Sequence, residues 1–260
     1  MKKCLVVGMA LCLSLLLAVP VMALETEFSG SYRVRGFHNS NQTLNDNDAS
    51  DSYFDMRFRL QTDFMVSDHL MVTTRFDALD NKRFGTPDLG GRDRDNIDFD
   101  RAFMTIRSDY GTFMAGRMIG GVWGTDFADT DTERDRIRWH DTFGDTTLYL
   151  IYEKRVEGDG NLAVGAPIDD PASGRVVSDQ DFDVYYLGIF HQAENIASGL
   201  LYGFFNNKSN PDFRDRFHFF NPFAIGQFGP LGFQGELVYM GLGDRKFDDD
   251  RSDQDFKRLS

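Results

Sequence analysis

Arginine at alternating positions carries the most chemical content in this 260-residue chain. Arg33, Arg35, Arg57, Arg59, Arg75, Arg107, Arg117, Arg136 and Arg138 fall in segments that read as strands, most of them with polar residues at every second position. A guanidinium stays charged across the physiological range and offers a rigid fork of donors to oxyanions. A wall of such groups around an aqueous passage would favour anions over cations. An acidic group, Asp126, Asp129, Asp131 and Glu133, follows the Arg117 segment. Its Asp-x-Asp-x-Glu spacing, and the run Asp248-Asp249-Asp250, present oxygen atoms suited to a divalent cation, but neither completes a calcium-binding loop. Solvated acidic loops without a metal are the expectation.

Other chemistries find no support. The histidines His38, His69, His140, His191 and His218 are scattered, with no H-E-x-x-H pair. There is no G-x-S-x-G elbow and no glycine-rich phosphate loop followed by lysine. No enzyme activity and no cofactor are expected.

The arginines must be positioned by strands. From Phe54 to Val66, the residues Phe54, Met56, Phe58, Leu60, Thr62, Phe64 and Val66 make one face, and Asp55, Arg57, Arg59, Gln61 and Asp63 the other. Leu70 to Ala78 continue the pattern after Ser67-Asp68-His69, which makes a hairpin. The same period predicts about 11 strands: 27–37, 54–66, 70–78, 97–107, 112–119, 134–140, 146–154, 182–191, 199–205, 216–223 and 231–241. Two blemishes stand out. Phe99 and Phe103 share a face with Arg101 and Arg107, and Pro222 marks a bulge or a strand end. Connections alternate in length. Those at 67–69, 108–111, 142–145, 193–198 and 227–230 are short, and those at 39–52, 79–96, 121–133, 156–181, 206–215 and from Leu242 onward are long.

The N-terminus reads as an export signal. Lys2 and Lys3 precede an apolar run from Cys4 to Val19, and Val21-Met22-Ala23 supplies small or medium residues for cleavage. That run is short for a membrane-spanning helix. Removing residues 1–23 takes both cysteines and lowers the formal charge from -13 to -15, so nucleic acid is not an expected partner. Residues 24–260 form one domain. Alternation alone does not say which face of a closed sheet meets solvent. Charges in mid-strand, strand lengths near the 9–11 residues that span a bilayer, abundant phenylalanine and the phase of short and long connections favour a transmembrane barrel over a soluble sandwich.

The hairpin Asp98-Phe99-Asp100-Arg101-Ala102-Phe103-Met104-Thr105-Ile106-Arg107, with Asp109-Tyr110-Gly111-Thr112-Phe113-Met114-Ala115-Gly116-Arg117, resembles the RAFV…GxFxxGR hairpin of Gram-negative outer-membrane porins. The opening Glu27-Phe28-Ser29-Gly30-Ser31-Tyr32-Arg33 is similar to a porin first strand. The resemblance implies an all-β, antiparallel transmembrane barrel of 16 strands with short periplasmic turns and long outer loops. It implies a homotrimer set in lipid and lipopolysaccharide, and passive diffusion of ions and small hydrophilic solutes. A porin loop folds inward as a constriction. If Asp126, Asp129, Asp131 and Glu133 belong to it, they face the arginine wall and set a transverse field. Porins end on a strand with a terminal aromatic residue, whereas this chain ends Lys257-Arg258-Leu259-Ser260, which implies a member truncated at its C-terminus. A substrate-specific channel for an oligosaccharide or organic anion is the alternative, with Tyr149, Tyr185 and Phe103 as possible lumen aromatics. A non-conducting adhesion or structural barrel is a third.

Overall fold

A computed structural model describes residues 25–40, 50–85, 97–130, 132–158, 180–210, 213–247 and 253–256. The expected leader 1–23, Asp131 and Asp248–Asp250 lie outside them. The elements are β1 (Glu25–Asn39), β2 (Asp51–Ser67), β3 (Leu70–Arg83), β4 (Ile97–Ser108), β5 (Gly111–Gly120), β6 (Thr132–Phe143), β7 (Thr146–Val156), β8 (Phe182–Gln192), β9 (Ile196–Asn210), β10 (Phe213–Phe228), β11 (Leu231–Glu236), β12 (Tyr239–Phe247) and β13 (Gln254–Phe256). They form one antiparallel sheet in which each strand pairs with its sequence neighbour, except that β10 pairs with both β11 and β12. Among the described residues the sheet is open, with β1 and β13 at its edges.

The alternation explains the order. Antiparallel strands that follow one another in the chain need only a short connection, and a two-residue turn suffices to send the chain back beside itself. Gly144 and Gly229 take the left-handed backbone such turns need, with φ of 59° and 57°. At Ser67 the hydroxyl accepts hydrogen bonds from the backbone N–H of His69 and Leu70, at 3.3 and 3.1 Å.

The eleven expected strands correspond to β1–β10 and to the joined pair β11–β12. Pro222 sits where β11 gives way to β12 across from β10, and its carbonyl accepts the N–H of Leu237 at 3.0 Å. Lacking its own N–H, proline is tolerated where the ladder is already interrupted. The irregularity at Phe99 is a bulge. Arg75 pairs with Arg101 and Phe76 with Phe99, leaving Asp100 extra. The bulge turns Phe99 to the face of Phe76, 5.9 Å between ring centroids, while Asp100 and Arg101 both join the charged face. Two expectations on connections change. The link expected at 206–215 is mostly strand, because β9 and β10 run to Asn210 and from Phe213. Leu242 is no loop start, since β12 continues to Phe247 and β13 returns beside it.

The sheet curls. Thr125 lies five positions beyond Gly120, a reach of at most about 17 Å, yet it bonds to Glu236 of β11. A flat sheet would hold β5 and β11 six strand spacings apart, about 29 Å. Curling defines an inner and an outer face. The inner face carries the charges: Asp55, Arg75, Asp77 and Glu153 are buried, Glu153 completely. On the outer face Leu150 and Leu187 are 50% and 52% exposed, and Phe28, Tyr32 and Ile137 are exposed too.

The outer face is banded. Across β5 to β12 one directly paired row reads Arg117, Asp135, Lys154, Asp183, Asn206, Arg216, Asp244. Two residues along each strand, toward the short turns, the row Ala115, Ile137, Tyr152, Tyr185, Phe204, His218 begins an apolar and aromatic belt. Phe113, Trp139, Leu150, Leu187, Tyr202, Phe220, Tyr239 continue it. Polarity returns at Thr146, His191 and Ser198. From Asp183 to His191 is about 27 Å along the strand. With a tilt near 40° that is about 20 Å of height, comparable to the apolar band of a membrane barrel.

Candidate functional site

The inner face of β1 to β7 is a ladder of ion pairs, built because each strand contributes a charge at every second residue. Arg35 grips Asp55 with two hydrogen bonds, at 3.0 and 2.5 Å. Arg59 does the same to Asp77, both at 2.6 Å, and Arg57 lies 3.9 Å from Asp77. The bulge delivers Asp100 to Arg75 at 2.6 Å and to Arg59 at 3.5 Å. Arg33 reaches Asp80 at 3.8 Å. Further round, the fully buried Glu153 carboxylate is surrounded by Arg136 at 2.5 Å, Arg155 at 2.7 Å and Arg134 at 3.8 Å. An uncompensated charge at such a position would cost several kcal/mol, so each pair fixes its neighbours.

Eight of the nine expected wall arginines share this inner face. Arg107 lies at its turn end, across from Thr112, and Arg138 lies in mid-strand with its guanidinium 4.9 Å from the Tyr149 ring centre. Arg117, expected on the wall, lies on the opposite face. Its direct partners are Ala102 and Asp135, and it shares the outer face with Phe113 and Ala115. Its side chain, half exposed, pairs with Asp135 at 3.4 Å in the polar row that bounds the apolar band.

The acidic candidates divide. Loop 121–130 does fold inward, but tryptophan and glutamate dock it. Its neck closes where the N–H of Thr130 bonds to the Gly121 carbonyl at 2.8 Å. Asp129 braces the loop from within, accepting the Trp123 N–H at 2.9 Å. Trp123 then crosses to the far wall. Its indole N–H donates to the Asn221 carbonyl at 3.1 Å, and its ring meets Tyr149 and Phe223 edge-on, each at 5.8 Å. Two glycines make the socket. A Cβ at Gly188 would stand 3.2 Å from the indole, and one at Gly199 would stand 3.1 Å from it and 2.6 Å from Phe223. Beyond Trp123, Glu236 accepts from the Thr125 N–H at 2.8 Å, the Thr125 hydroxyl at 2.5 Å and the Asn221 amide at 2.9 Å. Asp126 is exposed on the loop. Glu133 belongs to β6, and its carboxylate meets Arg75 at 2.5 Å and Arg101 at 3.5 Å. Of the acidic set it alone touches the arginine wall among the described residues.

The other half of the inner face is aromatic, which the residue pattern did not reveal. Val184, Tyr186 and Phe205 are buried with Ile151, Phe182, Leu201, Phe217 and Phe219 around them. Phe205 stacks on Phe217 at 4.6 Å and Arg155 lies over Phe205 at 4.9 Å. Tyr149 and Phe103 face inward as expected, while Tyr185 is on the outer face, paired with Tyr152 and Phe204. The β8–β10 strands are apolar on both faces, so alternation cannot separate their sides. Glu236 and Trp123 were also missed. A tryptophan between the glycines of loop 121–130 was the one available signal.

No family model matches the chain, and no curated protein matches it. Among solved structures it is similar to an outer membrane protein of Vibrio cholerae, OmpT, folded in vitro, in its trimer form. That similarity has 12% identity and a TM-score of 0.36, over 85% of this chain and 80% of the other. A loop L8 deletion mutant of the same protein aligns with 12% identity and a TM-score of 0.35, over 86% and 89%.

Proposed function

We propose that the chain is an outer-membrane, porin-type channel, through which ions and small hydrophilic solutes diffuse passively along the charged inner face. One observation carries this reading. The sheet buries its arginines and carboxylates on the inside and exposes a belt of leucine, isoleucine and aromatics on the outside. A soluble protein gains nothing from that inversion, whereas a bilayer requires an apolar outer surface and tolerates a wet, polar interior. The charged row from Arg117 to Asp244 and the aromatic row beside it fit the outer boundary of the apolar band. Loop 121–130 narrows the passage. Because acids neutralise most wall arginines, selectivity between anions and cations is weak. Export with loss of residues 1–23, contact with lipopolysaccharide and assembly as a homotrimer belong to the same reading.

The aromatic half of the lumen favours one second reading, a channel selective for solutes with an apolar portion. Planar-bilayer recording of the purified full-length protein, with fractionation of the expressing cells, tests both. Large steps with weak ion selectivity support open diffusion. Small steps blocked by one class of solute support the selective channel. Absence of conductance, or a soluble periplasmic location, overturns both.

A further inference from the structure

Most inner-face arginines have a carboxylate within 4 Å; among the described residues Arg107, at the turn end, has none, and neither does Arg138 in mid-strand. Beside Arg138 stand the neutral Tyr149 ring, 4.9 Å from its guanidinium, and Arg136, two residues along the same face and itself held by Glu153. The Nε of Arg138 is buried with no hydrogen-bond partner, and so is Nδ1 of His140, two residues along the same face. Both side chains are held in place. The Tyr149 ring has the Arg138 guanidinium over it and the His140 ring stacked on it at 5.6 Å, 19° from parallel. Trp123 of the inward loop closes on Tyr149 from the side. On the neighbouring β5 stands Met114, directly opposite Arg138. A partly buried cation without a counter-ion is costly, and here packing over-determines its position.

We infer that Arg138 and His140 form a binding subsite for a monocarboxylate with an apolar or aromatic tail. The guanidinium takes the carboxylate through paired N–H donors, and His140 adds a donor beside it when Nδ1 carries its proton. Met114 and the Trp123–Tyr149 corner receive the tail. One uncompensated positive charge matches a monoanion. A dianionic phosphate would need a second free cation, and Arg136 is already committed to Glu153. The subsite lies beside the inward loop, so a solute passing the narrowing meets it. It depends on the proposed pore only for access.

Calorimetric titration of the purified full-length protein with sodium benzoate, in a chloride buffer, tests this independently of conduction. Saturable binding of one benzoate per chain is expected. Arg138→Gln is expected to weaken it at least tenfold, and Arg138→Lys to retain part of it. Arg117→Gln removes a charge from the outer face of the adjacent strand and is expected to leave it unchanged. A non-saturating response, equal affinity in Arg138→Gln, or phosphate binding more tightly than benzoate would each overturn the subsite. Benzoate binding in a protein that fails to conduct sustains the subsite and removes the pore. Conduction without saturable binding does the reverse.

Discussion

Leu187→Arg places a charge on the outer face, where the two environments predict opposite results. Leu187 is 52% exposed and lies four residues from Asp183 in the polar row and four from His191, where polarity returns. Four residues are about 14 Å along a strand, or about 10 Å of height at a 40° tilt. Leu187 thus stands near the middle of the band. An arginine at a bilayer midplane costs about 2–4 kcal/mol in a barrel, falling to about 0–1 near the interface. Asn206→Arg, in the polar row beside Asp183, is the matched control. On a water-facing surface both substitutions would stay within about 0.5 kcal/mol. Urea titration of the protein folded into lipid vesicles, read by tryptophan fluorescence, measures the difference. Leu187→Arg is expected to lose at least about 2 kcal/mol and Asn206→Arg less than about 1. Equal and small effects would refute the assignment of the outer face.

Three further substitutions address the inner wall and its boundary. Glu153→Gln leaves three clustered guanidiniums without their buried carboxylate and is expected to destabilise by about 3–5 kcal/mol, with a reversal potential shifted toward anions. Gly188→Ile adds atoms where the indole of Trp123 already stands 3.2 Å from a Cβ. The loop should undock and single-channel conductance should rise, so an unchanged conductance would count against the socket. Arg117→Gln breaks only an exposed ion pair, worth about 0–1 kcal/mol, and its reversal potential should match that of the parent.

The strand ladder was legible because its signal is local. Asp55, Arg57, Arg59 and the intervening phenylalanines declare both a period and a phase. Arg117 shows where phase fails. Its segment, Phe113-Met114-Ala115-Gly116-Arg117, is apolar or small on both sides, so no neighbour indicates which side the arginine takes. The inward loop was legible by position but its mechanism was not. Aspartates drew attention to loop 121–130, yet Asp129 spends its carboxylate inside the loop. The docking depends on Gly188, Gly199 and Asn221, which become neighbours of Trp123 only once the register of β8, β9 and β10 is known. Alternation puts Asp55, Asp63 and Asp77 on the same faces as the arginine wall, but does not say which acid neutralises which arginine. The wall's acids come from other strands, with Asp77 opposite Arg59 and Glu153 opposite Arg136, so its near neutrality is a property of register rather than composition.

The central claim is that the charged face meets water and the apolar face meets lipid. Both cysteines lie within the first 12 residues, so in protein lacking the leader a single substituted cysteine can be spin-labelled without interference. Labels at Leu148, Tyr149, Leu150, Ile151 and Leu187 in lipid vesicles should alternate in collision rate with oxygen and with a polar nickel complex. Oxygen should dominate at Leu148, Leu150 and Leu187, and the nickel complex at Tyr149 and Ile151. Equal accessibility at all five positions, or the opposite alternation, would contradict the account.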